Sequence, residues 1–175
     1  RLALDIDRAE GVFGNALRLA GRHRLQASEA LAFGRMEAIS LCAWTLPAEL
    51  GSYREIFRKE DGEDRVLFSF QGDGTILSLG LNVGGYVECD ARIDPAVALD
   101  GDWHHCTATF DGQNFRVYFD GKLAGELARP GAIRAGGPAR GCIGSLDGGE
   151  CFQGLLDDLR IYAAALTAAE VAALH

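Results

Sequence analysis

Apolar and polar positions alternate with a period of two along most of this chain, the pattern of strands that bury one face. The clearest run is Asp100–Gly121. Within it, Cys106, Ala108 and Phe110 share one face of a strand Trp103–Phe110, and His105, Thr107 and Thr109 share the other. Phe115, Val117 and Phe119 repeat the pattern in Phe115–Asp120, with Arg116 and Tyr118 opposite them. Each segment closes on an Asp-Gly step, which accepts the positive φ of a tight hairpin turn. The stretch predicts strand, turn, strand, turn, with a third strand at Lys122–Leu127.

The same reading places strands at Arg1–Asp7, Ala16–Leu19, His23–Gln26, Ile39–Leu46, Tyr53–Lys59, Val66–Gln71, Thr75–Val83, Tyr86–Ala91, Arg140–Gly144 and Cys151–Tyr162. Pro47 is expected to end the fourth of these. Lys59–Arg65 reads as a solvated charged turn, and Ile93–Leu99 and Ala128–Ala139 as connections. Leu166–Leu174 is the one expected helix, because Thr167 and Glu170 make a capping box ahead of an alanine-rich turn. In the last strand the apolar positions change parity between Leu156 and Leu159. A slip of one residue at Asp157-Asp158 is what a β-bulge produces.

Length and composition narrow the class. A chain of 175 residues makes one domain, and an apolar content of 48% is too high for a disordered chain. The net charge of −8 opposes nucleic acid and anionic lipid, and the longest basic run is Arg22–Arg24. No apolar run has the length of a membrane span. The opening at Arg1 suits a processed protein, an excised domain or the ordered part of something longer.

Four motifs carry a family resemblance. Asp100–Gly121 with its Trp-His-His, the closing Phe152-Gln153-Gly154-Leu155-Leu156-Asp157-Asp158-Leu159-Arg160-Ile161-Tyr162, the opening Gly14-Asn15-Ala16-Leu17-Arg18-Leu19 and the strand Ile39–Trp44 occur in this order. Together they resemble the laminin G-like, concanavalin A-like jelly-roll family. The resemblance implies a two-sheet antiparallel jelly-roll sandwich, all-β, with a short C-terminal helix and one domain over residues 1–175. It also implies a structural calcium (Ca2+), with Asp157 as side-chain ligand and Gly21 or the Asp5–Asp7 segment (Asp5, Asp7) contributing further oxygens. The alternative for Asp157 and Asp158 is a bulge held by hydrogen bonds and Arg160. The family's mostly extracytoplasmic location points to a secreted, periplasmic or surface protein.

Candidate chemistry is sparse. Glucanases of this fold use carboxylates spaced E-x-D-x-(x)-E on one strand face. Glu88-Cys89-Asp90 comes nearest, but Arg92 and Ile93 stand where the third acid belongs. No G-x-S-x-G is present and no cysteine stands in a nucleophile's context, so no catalytic residue is assigned. His104 and His105 are neighbours on a strand and point to opposite faces, so they cannot share an ion. Trp44 and Trp103 fall at framework positions of the family. The cysteine count of five is odd; Cys142 and Cys151 flank one glycine-rich turn and are the expected disulfide.

The expectation is therefore a non-catalytic recognition module for a carbohydrate or protein ligand, within a larger polypeptide or complex. The alternatives are a glycan-active enzyme with unrecognised residues and an accessory subunit binding only protein. Contacts are expected at Ala128–Ala139, through Arg129 and Arg134, together with Asp147 in the turn Ser145–Glu150. The competing surface is a sheet face bearing His105, Thr107, Arg116 or Tyr118.

Overall fold

Alternate side chains of the central strands meet in one core, and the positions between them are buried as well. In the computed structural model, which describes residues 7–21, 24–27, 33 and 35–175, Leu41, Ala43, Phe68, Phe70, Leu77, Leu79, Ala108 and Phe110 are fully buried at alternate strand positions. The expected strand Arg1–Asp7, apart from Asp7, and the His23 end of His23–Gln26 lie outside the described residues. In chain order the elements are β1 (Arg8–Glu10), β2 (Asn15–Leu19), β3 (Leu25–Gln26), β4 (Arg35–Met36), β5 (Ile39–Glu49), β6 (Tyr53–Asp61), β7 (Asp64–Gln71), β8 (Ile76–Asn82) and β9 (Tyr86–Arg92). A single helical turn α1 (Pro95–Ala98) follows, then β10 (His104–Phe110), β11 (Asn114–Phe119), β12 (Lys122–Ala128), β13 (Ile133–Arg134), β14 (Cys142–Ile143), β15 (Gln153–Tyr162) and α2 (Ala168–Leu174).

The strands form two antiparallel sheets, ordered β1-β2-β15-β5-β10-β11-β12 and β3-β14-β6-β7-β8-β13-β4, with β9 paired to β8. The sheets face each other across one core that includes Ile39, Phe57, Phe68, Leu79, Phe110 and Phe115. The expected β10–β11 hairpin is present, with Cys106 opposite Phe119 and Phe110 opposite Phe115, so its two apolar faces coincide. Asp120 (φ 49°) and Gly121 (φ 70°) make the tight turn into β12.

Three connections read from the sequence are corrected. Lys59–Arg65 is not a solvated turn: β6 and β7 pair through Glu60–Arg65 and Asp61–Asp64. Ile93–Leu99 contains α1, N-capped by Asp94, whose carboxylate accepts the Ala96 N–H at 2.9 Å. Ala128–Ala139 contains β13, a two-residue strand that lies between β4 and the end of β8. Pro47 does not end β5, which runs on to Glu49; a register shift at Gln153/Gly154 accommodates the residue that lacks an N–H.

The C-terminal helix is where the capping box places it. Thr167 Oγ1 accepts the Glu170 N–H, and the Glu170 carboxylate accepts the Thr167 N–H at 2.7 Å. The helix ends over the outer face of the first sheet, where His175 stacks on Trp44 with ring centroids 5.6 Å apart. That face is accordingly not open. His105, Thr107 and Tyr118 are buried, and Arg116 is paired with Asp111 and Glu126. Burial, then the neighbouring His175, push the His105 pKa down to about 4.

His104 points the other way and is stacked on Phe119. Its Nδ1 meets Asp120 at 2.8 Å and its Nε2 meets Asp100 at 3.1 Å. Burial pulls its pKa down, but Asp120 and Asp100 prevail and the net shift is upward. A raised folded pKa contributes stability that is present below the unfolded value and lost as pH rises through the folded one. His104→Gln should therefore lower the melting temperature more at pH 5.5 than at pH 8.5. Equal losses at both would remove the charged pairing.

Candidate functional site

The second sheet turns one face to the core and the other away, and the outward residues are an ordered polar array. Strand alternation and register set them in rows. Glu55, Ser69, Ser78 and Asp90 form one row across β6, β7, β8 and β9. Arg58, Leu67, Gly80 and Glu88 form the next, and Tyr53, Gln71, Ile76 and Arg92 lie beyond the first. A row of four strands spans roughly 14 Å, three inter-strand spacings.

Small residues make the floor. Ser69 and Ser78 are fully buried there, and a Cβ on Gly80 would lie 2.2 Å from the Tyr86 hydroxyl, so only glycine lets that ring lie across β8. Hydrogen bonds tie the walls together. Gln71 Nε2 donates to Ser69 Oγ at 3.2 Å and to Glu88 Oε2 at 3.3 Å, reaching over β8. Ser78 donates to Asp90 Oδ1 at 2.7 Å, and Tyr86 donates to Glu88. Tyr53 stands at one corner, 45% exposed.

Arg58 organises the β6 side. Its guanidinium bonds Glu55, Glu60 and, at 3.2 Å, Glu150. Glu55 is buried and also accepts the Leu146 N–H at 2.6 Å, which docks the 145–150 turn on the sheet edge. Burial raises the Glu55 pKa, with Arg58 pulling against it. Glu60 also feels a burial penalty, but Arg58 and Arg65 hold its carboxyl below the usual range. Arg65 closes the row with its guanidinium 4.5 Å over the Tyr86 ring.

The residues singled out from the sequence are dispersed rather than gathered here. Arg129 donates to the Val83 carbonyl and to the Gly84 carbonyl, both at 3.0 Å, clamping the β8–β9 turn. Arg134 pairs with Asp64 at 3.2 Å beside a cleft of about 590 Å³ walled by the 130–136 segment. Asp147 caps its own turn by accepting the Gly149 N–H at 2.7 Å. That turn docks at Glu55 whereas Arg134 sits by Asp64, some six residues of β6 or roughly 20 Å away. The three do not form one site.

Of the calcium ligands expected from the resemblance, Asp157 and Gly21 stand apart. The bulge is present, with Asp158 at φ 48° and a register shift between Asp157 and Arg160. Asp157 is buried and its carboxylate accepts the Phe13 and Asp158 N–H groups, each at 2.8 Å. Arg160 pairs with Asp158. Gly21 lies past the Leu19–Gly154 pair, its carbonyl accepting from Gln153, whereas Asp157 lies past Leu17–Leu156 in the other direction. That separation is roughly 15 Å, so the two cannot share an ion. Asp7 is exposed and paired with Arg18, and Asp5 lies outside the described residues. Among the described residues no group of three His, Cys, Asp or Glu side chains converges for a metal.

The expected Cys142–Cys151 bridge is absent: all five cysteines are free and buried. Cys142 pairs opposite Arg58 and Cys151 opposite Glu55, three residues along the same edge of β6. The two cysteines therefore face different residues of β6 on either side of its bulge, and neither is the other's strand partner. Burial pushes the thiols of Cys42, Cys89, Cys106 and Cys142 up, Cys89 to about 11 and Cys106 to about 12. Mapping under non-reducing conditions should recover five alkylatable thiols after unfolding; a linked Cys142–Cys151 peptide would contradict this.

The outer face of the second sheet was not singled out from the sequence. Its signal was present in Ser69-Phe70-Gln71, Ser78-Leu79-Gly80 and Glu88-Cys89-Asp90, where the residues opposite each core position are small or polar in three consecutive strands.

Comparison with known proteins fits this geometry. A family model described as the concanavalin A-like lectin/glucanases superfamily matches residues 20–172. The chain belongs to that superfamily. Its sandwich is the superfamily's jelly roll, and solved relatives show the same architecture. Domain 4 of an extracellular arabinanase from Geobacillus stearothermophilus, solved with arabinotriose, superposes with a TM-score of 0.78 at 25% identity, covering 97% of this chain and 80% of that one. The Ruminococcus gnavus IT-sialidase CBM40 bound to α2,3-sialyllactose gives 0.65 at 8% identity, covering 89% and 99%. Domains LG4-5 of the mouse laminin α1 chain give 0.69 at 11%, covering 93% of this chain and 44% of theirs. A search of curated proteins by sequence found no match. Among the described residues no helix is long and apolar enough to cross a membrane.

Proposed function

We propose that this chain is a non-catalytic carbohydrate-recognition module of a larger extracytoplasmic protein, and that its glycan lies on the outer face of the second sheet. The observation that carries the reading is the array itself. A floor of small residues is walled by fixed hydrogen-bonding side chains, and the exposed ring of Tyr53 stands at one end. Sugars need that combination, hydroxyl partners held in place and an apolar ring for the sugar's C–H face. The arabinotriose complex of the similar arabinanase domain supports the ligand class. That protein's description as extracellular supports the location.

The carboxylates support binding rather than hydrolysis. Arg92 faces the same side as Glu88 and Asp90, so a cation stands at one of the two positions open to the third acid of the glucanase pattern. Glu55 is held by Arg58 and the Leu146 N–H. Calorimetric titration with arabinotriose should show binding, and Tyr53→Ala should weaken it roughly tenfold, about 1.4 kcal/mol. No new reducing ends should appear on prolonged incubation with arabinan. Undiminished affinity in the variant, or steady release of sugar, would overturn the reading.

A further inference from the structure

We infer that the outer face of the second sheet selects uncharged, hydroxyl-rich glycans and rejects acidic ones, an inference that rests on this face being the ligand surface. The argument is which charges on the face remain available. Of the three cations that the described residues of β6 to β9 turn to this face, two are committed: Arg58 is shared among Glu55, Glu60 and Glu150, and Arg65 lies between Glu60 and the Tyr86 ring. A guanidinium already bonded to carboxylates has few donors left for a ligand anion. Arg92 stands exposed at the end of the Tyr53 row, away from the middle of the face.

The anions are in the opposite condition. Glu88 accepts one hydrogen bond from Tyr86 and one from Gln71, and Asp90 accepts one, from Ser78, on Oδ1. A carboxylate offers about four acceptor positions, so both keep lone pairs directed outward. Ionised carboxylates accept only, and a sugar hydroxyl is the donor that matches them, in a charge-assisted bond. A ligand carboxylate or sulfate at the same place would meet two like charges, with Arg92, at the end of the neighbouring row, as the one uncommitted cation on this side of β9. The chain's net charge of −8 adds repulsion at longer range.

The test uses the intact protein on an array of neutral arabinan, galactan, xylan and mannan oligosaccharides beside acidic polygalacturonate, alginate and heparan sulfate oligosaccharides. Neutral members alone should bind, with affinity little changed between 50 and 300 mM salt. Asp90→Asn, and separately Glu88→Gln, should narrow the preference for neutral over acidic members at least tenfold, with the folded state of each variant checked by its melting curve. Acidic members bound as well as neutral ones, with that binding lost in Tyr53→Ala, would overturn the charge selection and leave the surface assignment standing. Binding that Tyr53→Ala does not touch, or an array silent throughout, would overturn the surface assignment and the selection with it.

Discussion

Arg58→Leu is expected to destabilise the fold by about 3–5 kcal/mol, the cost of removing one partner from a buried charge pair. Arg58 is the common partner of Glu55, Glu60 and Glu150, and Glu55 is almost wholly out of water. Without the guanidinium, Glu55 must remain ionised in a poor environment or take a proton. Its folded pKa, already raised by burial despite Arg58, rises further when that opposing influence goes. For a raised carboxyl the loss is largest above the folded pKa and shrinks as pH falls below it, because neutral Glu55 needs no counter-charge. The variant's deficit in urea titrations should thus be larger at pH 8 than at pH 5. Because Glu55 also anchors Leu146, hydrogen exchange in the 145–150 turn should accelerate in the same variant. A deficit below about 1 kcal/mol and independent of pH would show that the network is a surface one.

Gly154→Ala should cost about 3 kcal/mol or more. Gly154 has φ 134°, and a Cβ there would lie 2.3 Å from the Leu46 carbonyl oxygen and 2.8 Å from the Ala48 nitrogen. Both are backbone atoms of β5 and cannot swing aside. Overpacking of this kind costs about 1–3 kcal/mol, and a side chain in this backbone region about 1–3 kcal/mol more. Since β15 lies between β2 and β5, the strain falls at the centre of the first sheet. A melting temperature within a degree or two of the parent would mean that β15 moves off Pro47 without penalty.

The fold was legible where one face of a strand is apolar and its neighbour in sequence closes a tight turn. Asp100–Gly121 shows both signals, and its hairpin and its Asp120-Gly121 turn are as expected. The capping box at Thr167–Glu170 and the slip at Asp157-Asp158 were equally local, each written in a few adjacent residues. Lys59–Arg65 was misread because strand pairing can be hidden by charge. Lys59 is fully buried, donating to the Gly136 carbonyl, and Glu60 and Arg65 neutralise each other across the hairpin. Nothing within the segment announces a partner 77 residues away.

The site was less legible for the same reason. Arg129 and Arg134 stood out as cations in a proline-bearing loop, yet their partners, the Val83 and Gly84 carbonyls and Asp64, come from other hairpins. Likewise the polar face exists only after β6 to β9 align Glu55, Ser69, Ser78 and Asp90 in one row. Alternation told which residues face outward. It could not tell that four outward sets would meet.

The central claim is that this row and its neighbours are where a glycan sits. Backbone amide shifts followed by NMR during titration with arabinotriose test it directly. The account predicts that perturbations gather at Tyr53, Ser69, Gln71, Ser78, Glu88 and Asp90, and that they saturate together. Perturbations confined to the 130–136 cleft, or none at saturating sugar, would contradict it.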